Sequence, residues 1–284
     1  MTPEPRPDAT PTEKVDAPLT GVSETALMTL QVRASEARRP DGIIDDPEAI
    51  RLVDSISFDF AKFGYTNRQD MALRALAFDA ATRDYLRDRP EATVVALAEG
   101  LQTSFYRLAA SVDDDRFRWL TVELPPVVAL RERLLPPSDR VDVAAQSALD
   151  FSWMDRVDPD EGVFITAEGL LMYLQPTEAM GLITECARRF PGGRMMFDLP
   201  PSWFAWVARR GMPTSLRYRI PKMPFAMSAA EAAKLVDVVP GVRAVHDVTL
   251  PQGRGLVLNK LLWLAQRTPL LDPVRPALTL LEFG

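Results

Sequence analysis

Between Thr93 and Leu199 the chain alternates short apolar runs of strand length with helical segments, and this rhythm constrains the fold more than any other feature. The runs are Val94–Leu97, Trp119–Val122, Val141–Ala145, Val163–Thr166 and Met195–Phe197, with helical patterns over about 125–135 and 176–190 between them. A strand buried on both faces reads as a continuous apolar run, and parallel strands need a helical crossover. The pattern therefore predicts an α/β chain with a doubly wound, mostly parallel sheet. Two further apolar stretches, 243–250 and 256–264, complete a seven-stranded expectation. The turn Gln252-Gly253-Arg254-Gly255 between them reads as a hairpin.

The flanks are of another kind. Residues 1–20 hold five prolines among Thr, Asp and Glu and read as a disordered tail. Helical spacing over 23–38, a helix opened by Asp46-Pro47, and a longer helix over 68–87 predict an N-terminal helical cover spanning 21–90. A Pro-, Arg- and Trp-bearing stretch over 200–240 predicts a helical substrate lid. At 284 residues with a net charge of -6, the chain suits one catalytic domain from 21 to 284 and lacks the clustered basic surface that nucleic acid requires. A single cysteine (Cys186) and a single histidine (His246) exclude a disulfide framework or a Cys/His metal site within one chain. With no signal-peptide pattern and no membrane-length apolar stretch, the expectation is a cytoplasmic protein without a membrane partner.

In open parallel sheets, ligands sit beyond the carboxyl ends of the strands, so the strand ends are where function is sought. The first ends in Ala98-Glu99-Gly100, where glycine lets a ligand approach the backbone. The second ends in Glu123, an acid placed to accept hydrogen bonds from a ribose diol. The third leads into Ser147, Ala148, Leu149 and Asp150, where Ser147 or Asp150 could meet an adenine edge beside apolar neighbours. The fourth leads into Glu168-Gly169 and Tyr173. The first turn lacks the full Gly-x-Gly-x-x-Gly phosphate cradle. An adenosyl ligand without phosphates, S-adenosylmethionine, fits it better than NAD.

Taken in order, these motifs resemble the leucine carboxyl methyltransferase superfamily, and in particular its polyketide branch. The resemblance is carried by Arg33-Ala34-Ser35-Glu36, Asp46-Pro47, Val95–Thr103 with Phe105-Tyr106-Arg107, Val122–Pro125, Leu149-Asp150 with Trp153-Met154-Asp155, and Ala167–Leu174. It implies a Rossmann-like class I methyltransferase that uses S-adenosylmethionine. It also implies that Arg74 pairs with the cofactor carboxylate, with Arg38 as a second partner, and that Gly100 lies against the methionine part. Glu123 would hold the ribose, the 147–150 stretch the adenine, and Glu168 the ammonium. The chain departs from the family loop at Ala98, Glu99, Gln102 and Ser104, so cofactor affinity is the property most exposed to test.

A carboxylate acceptor is ionised at neutral pH and needs no general base, whereas a phenol would benefit from one. With His246 outside the motifs and read as structural, the expected reaction is O-methylation of a small apolar or aromatic acid or, as the alternative acceptor, a phenol, with Tyr173 orienting the acceptor. Two other readings stand beside it: a degenerate fold kept as a binding or assembly protein, and a cofactor-bound catalyst of a non-methylating step. A homodimer is compatible with all three.

Overall fold

The computed structural model describes residues 14–64, 68–111, 116–209, 213, 215–255, 259–260, 264, 268 and 275–284. Two short strands, β1 (Val15–Asp16) and β2 (Ile56–Ser57), pair in parallel beside the main sheet. The main sheet contains β3 (Thr93–Leu97), β4 (Arg118–Glu123), β5 (Val141–Ala145), β6 (Val163–Ala167), β7 (Arg194–Leu199), β8 (Val242–Asp247) and β9 (Ala277–Phe283). Its order is β5-β4-β3-β6-β7-β9-β8, with β3 to β7 parallel and β9 antiparallel to both of its neighbours. The expected doubly wound, mostly parallel seven-stranded sheet is the observed one.

Burial explains the strand sequences. Every residue of β3 and β6 is buried, as befits central strands covered on both faces, while β5 and β8 lie at the edges and are partly exposed. Burying one side chain such as Phe164 or Ile165, both 0% exposed, contributes about 1.5–3 kcal/mol. Among the described residues, nine α-helices flank the sheet: α1 (Thr25–Ala37), α2 (Pro47–Ser55), α3 (Asp70–Asp88), α4 (Ser104–Ala109), α5 (Pro125–Leu134), α6 (Pro176–Arg189), α7 (Ser202–Ala208), α8 (Ala229–Ala232) and α9 (Leu235–Val238). The boundaries follow the local chemistry. Asp46 caps α2 by accepting the Ala49 amide at 3.0 Å, with Pro47 in the first turn. Gln175 and Glu178 form a capping box at the start of α6.

Two expectations are corrected. The hairpin over 243–264 is not the observed pairing: residues 256–258 and 261–263 lie outside the described ones, Asn259, Lys260 and Leu264 are helical, and β8 pairs with β9, which is inserted between β8 and β7. Strand β9 satisfies its backbone on both sides and buries Ala277, Leu278, Leu281 and Phe283, so the long-range pairing outweighs the local turn. Nor are residues 14–20 part of a disordered tail. Residues 1–13 lie outside the described ones, but Val15–Asp16 form β1, and Ala17 and Leu19 are buried in the core.

The chain visits β3, β4 and β5 on one side and then crosses back to place β6 on the other side of β3. The order of strands therefore reverses between β3 and β6, and their carboxyl ends open a crevice.

Candidate functional site

The crevice is a cavity of about 920 Å³. Its floor is formed by the loops after β3, β4, β5 and β6, and its walls by α1, α3, the start of α7 and the 220–223 segment. Of the residues singled out in the sequence, Arg74, Gly100, Glu123, Ser147, Ala148, Leu149, Glu168 and Tyr173 all border it.

Two do not. Arg38 lies at the C-terminal end of α1, partly exposed, and pairs with Asp54 at 2.6 Å. The α1 arginine that turns inward is Arg33, about 140° away around the helix. Arg33 is 1% exposed and donates to the Leu101 carbonyl at 2.7 Å. Asp150 caps the 3₁₀ turn Phe151–Arg156 by accepting the Ser152 amide at 3.2 Å, which holds its carboxylate away from the cavity. Its neighbour Ser147 remains on the wall and accepts the Leu149 amide at 3.2 Å.

The loop after β3 turns on two left-handed residues, Ala98 at φ 48° and Gly100 at φ 58°. A side chain at position 100 would press against the Ala26 methyl at 2.8 Å, which explains the glycine there. Ala98 adopts the left-handed turn despite its methyl group, and the cavity beside it stays open. Glu123, at the tip of β4, accepts the Gly100 amide on Oε2 at 2.8 Å and the Leu124 amide on Oε1 at 2.7 Å. Burial pushes the Glu123 carboxyl above the usual range, and these two amides oppose the shift.

Opposite Glu123 lies an ionic cluster. Arg74 Nε donates to Glu168 Oε1 at 2.9 Å, and Arg74 Nη1 donates to Asp198 Oδ2 at 3.1 Å. Gln102 Nε2 donates to the same Glu168 oxygen at 2.7 Å, and Asp198 Oδ1 accepts the Gly169 amide at 2.6 Å. Burial alone would lower Arg74, but Asp198 and Glu168 outweigh it and hold the guanidinium above its ordinary value. Burial also pushes the Tyr173 hydroxyl up, so Tyr173 stays a hydrogen-bond donor near neutral pH.

Asp198, Gln102 and Arg131 are components the sequence reading missed. Asp198 sits near the carboxyl end of β7, where the strand-end rule would have found it. Gln102 registered only as a departure from the loop pattern. No sequence signal marks Arg131, which reaches the loop from α5: its Nη1 donates to the carbonyls of Gly100 at 2.8 Å and Gln102 at 3.0 Å.

The donor and acceptor set suits S-adenosylmethionine. A carboxylate offers about four lone-pair sites, so Glu123 keeps capacity on each oxygen for a diol. Arg74 uses two of its five N–H groups on Glu168 and Asp198, and the others suit a carboxylate. Among the described residues, no group of three or more His, Cys, Asp or Glu could hold a metal ion, and no helix is long and apolar enough to cross a membrane.

Comparison with known proteins agrees with this geometry. The profile of the family described as leucine carboxyl methyltransferase matches residues 26–187. The chain is 32% identical over 227 residues to the tetracenomycin polyketide synthesis O-methyltransferase TcmP of Streptomyces glaucescens, covering 73% of this chain and 82% of that one. It is 27% identical over 210 residues to the S-adenosyl-L-methionine-dependent methyltransferase dpfgK of Gibberella zeae, covering 67% and 70%. A crystal structure of a methyltransferase from Thermobifida fusca superposes with a TM-score of 0.52 at 14% identity, covering 90% of this chain and 94% of that one, which attests the fold alone. Motif order, strand-tip chemistry and sequence likeness agree: the chain belongs to the leucine carboxyl methyltransferase family, on the branch that includes the tetracenomycin relative, and is an S-adenosylmethionine-dependent methyltransferase.

Proposed function

We propose that the enzyme methylates the carboxylate of a small, apolar or aromatic, polyketide-like acid. The observation that carries this reading is the contrast within one cavity: Glu123, Glu168 and Asp198 stand at the strand tips with Arg74 against them, and Arg68, Asp70 and Arg254 also border it, while Met28, Met71, Phe204, Ile220 and Met223 line much of the remaining wall. Such a wall suits a flat apolar body with few polar anchors. The name of the Streptomyces glaucescens relative, a polyketide O-methyltransferase, supports the same class.

The cofactor, when bound, supplies a methyl group on a sulfonium that is open to in-line displacement. The protein's tasks are then alignment and exclusion of water. In this reading Glu123 holds the ribose hydroxyls, Ser147, Ala148 and Leu149 border the adenine, Gly100 lies against the methionine part, Glu168 faces the ammonium and Arg74 takes the carboxylate. Tyr173 orients the acceptor by donating its hydroxyl proton. Glu168 and Asp198 are both engaged by Arg74, and Asp70 pairs with Arg68. His246 stands on the edge strand β8, 51% exposed and 3.5 Å from Glu282. An acceptor already ionised at neutral pH suits such a site better than a phenol, whose reference pKa is near 10.

The test is methyl transfer from isotopically labelled S-adenosylmethionine to matched aromatic acids and phenols. The expected product is one methyl heavier and is cleaved by mild base, as an ester is. A base-stable ether formed only on phenols would overturn the carboxyl assignment.

A further inference from the structure

Ala98 is the only non-glycine residue with positive φ among the described residues. An L-residue in the left-handed region costs energy that a glycine does not, and such a conformation persists only where its surroundings over-determine it. Something must therefore hold this loop, and the contacts show what does. The Ala98 amide donates to the Val122 carbonyl at 2.8 Å, and Glu123 takes the Gly100 amide, so β4 grips the loop from one side. From the other side, Arg131 binds the Gly100 and Gln102 carbonyls through Nη1, and its Nη2 lies 3.0 Å from Glu99 Oε1. The same Glu99 oxygen accepts from the Thr121 hydroxyl and from Trp119 Nε1, the latter at 3.3 Å, which ties the clamp back to the sheet. The side chains of Arg131 and Glu99 are 9% and 5% exposed, so these bonds form where water competes little.

We propose that Arg131, acting through Glu99 and the carbonyls of Gly100 and Gln102, is a positioning residue that holds Ala98 left-handed and thereby shapes the cofactor-binding loop. Arg131 does not border the cavity, so its effect on the cofactor passes through the loop. One planar guanidinium meets three acceptors, a task that its fork geometry suits and an ammonium does not. The proposal rests on the reading that this loop carries the cofactor.

The test is a double-mutant cycle on S-adenosylhomocysteine affinity, measured by calorimetry, with urea unfolding of every variant. Arg131→Met is expected to weaken binding roughly tenfold. The KM for S-adenosylmethionine should rise while kcat and the acceptor KM stay unchanged. Adding Ala98→Gly should restore most of the lost affinity in that background and change little in the wild-type one, because glycine takes the left-handed turn without support. A buried pair serving only global stability would lower the urea midpoint without this rescue. Should Arg131→Met fail to fold, Arg131→Lys takes its place in the cycle, keeping the charge and losing the fork. Wild-type affinity in the arginine variant, or a double mutant as weak as that variant alone, overturns the clamp. Loss of binding in Glu123→Ala alongside such a result overturns the clamp only. Undiminished binding in Glu123→Ala overturns the cofactor-site reading, and the clamp's function with it.

Discussion

In the proposed reading, Glu123 couples fold and ligand. Burial raises its carboxyl while the amides of Gly100 and Leu124 favour the ionised form, and the upward push wins. Only the ionised carboxylate accepts from a diol with both oxygens. Cofactor affinity should therefore fall on acidification at a pH above the ordinary glutamate value near 4.3. Calorimetric titration of S-adenosylhomocysteine from neutral pH downward checks this, and a flat profile to that value would contradict it. Replacing Glu123 with Gln should remove the pH dependence and weaken binding. Ala98 offers a second residue-scale measurement. Because its φ of 48° suits glycine, Ala98→Gly should raise stability by about 1 kcal/mol in urea unfolding. Glu123 was legible as an acid at a strand end, and Ala98 as a departure from the family loop, because both lie beside the β3 and β4 tips where ligands bind. Arg131 was not, because nothing in the spacing of α5 shows that one of its arginines turns inward to a loop three bonds deep.

At the scale of elements, the start of α2 is the knot that fixes the N-terminal helices to the cofactor domain. Asp46 is fully buried and caps α2; it also accepts from Thr103 and pairs with Arg107 at 2.8 Å and Arg33 at 3.4 Å. Arg107 in turn pairs with Asp79 on α3 at 2.7 Å. One carboxylate thus joins α1, α2 and α4, with α3 one step away. Removing it would leave the buried Arg33 without its carboxylate and Arg107 with only one of its two, so Asp46→Ala should cost about 3–5 kcal/mol in urea unfolding. Burial would raise the Asp46 carboxyl, but Arg107 and Arg33 bring it below its usual value. Its contribution to stability should be complete above the unfolded value near 3.9 and decline as the pH falls through the lower folded one. The Asp-Pro cap was readable because capping is local chemistry. The ionic knot was not, since its members come from four separate stretches of chain.

At the scale of the whole molecule, the last strand carries a disproportionate share. Strand β9 lies between β7 and β8, and its Leu281 and Phe283 are 0% and 1% exposed. Truncation after residue 276 should remove the cooperative unfolding transition rather than trim an edge, as circular dichroism on heating would show. Alternation of apolar runs with helices, together with acids and glycines at the run ends, determined the doubly wound sheet, the crevice and most of its floor, because strand period, capping and burial act over a few residues. The pairing of β8 with β9, the inward turn of Arg33 rather than Arg38, the ionic knot at Asp46 and the Arg131 clamp were decided only by the tertiary structure. Each depends on which distant segments share a buried space, and there an unpaired backbone group or charge costs more than any local preference can repay.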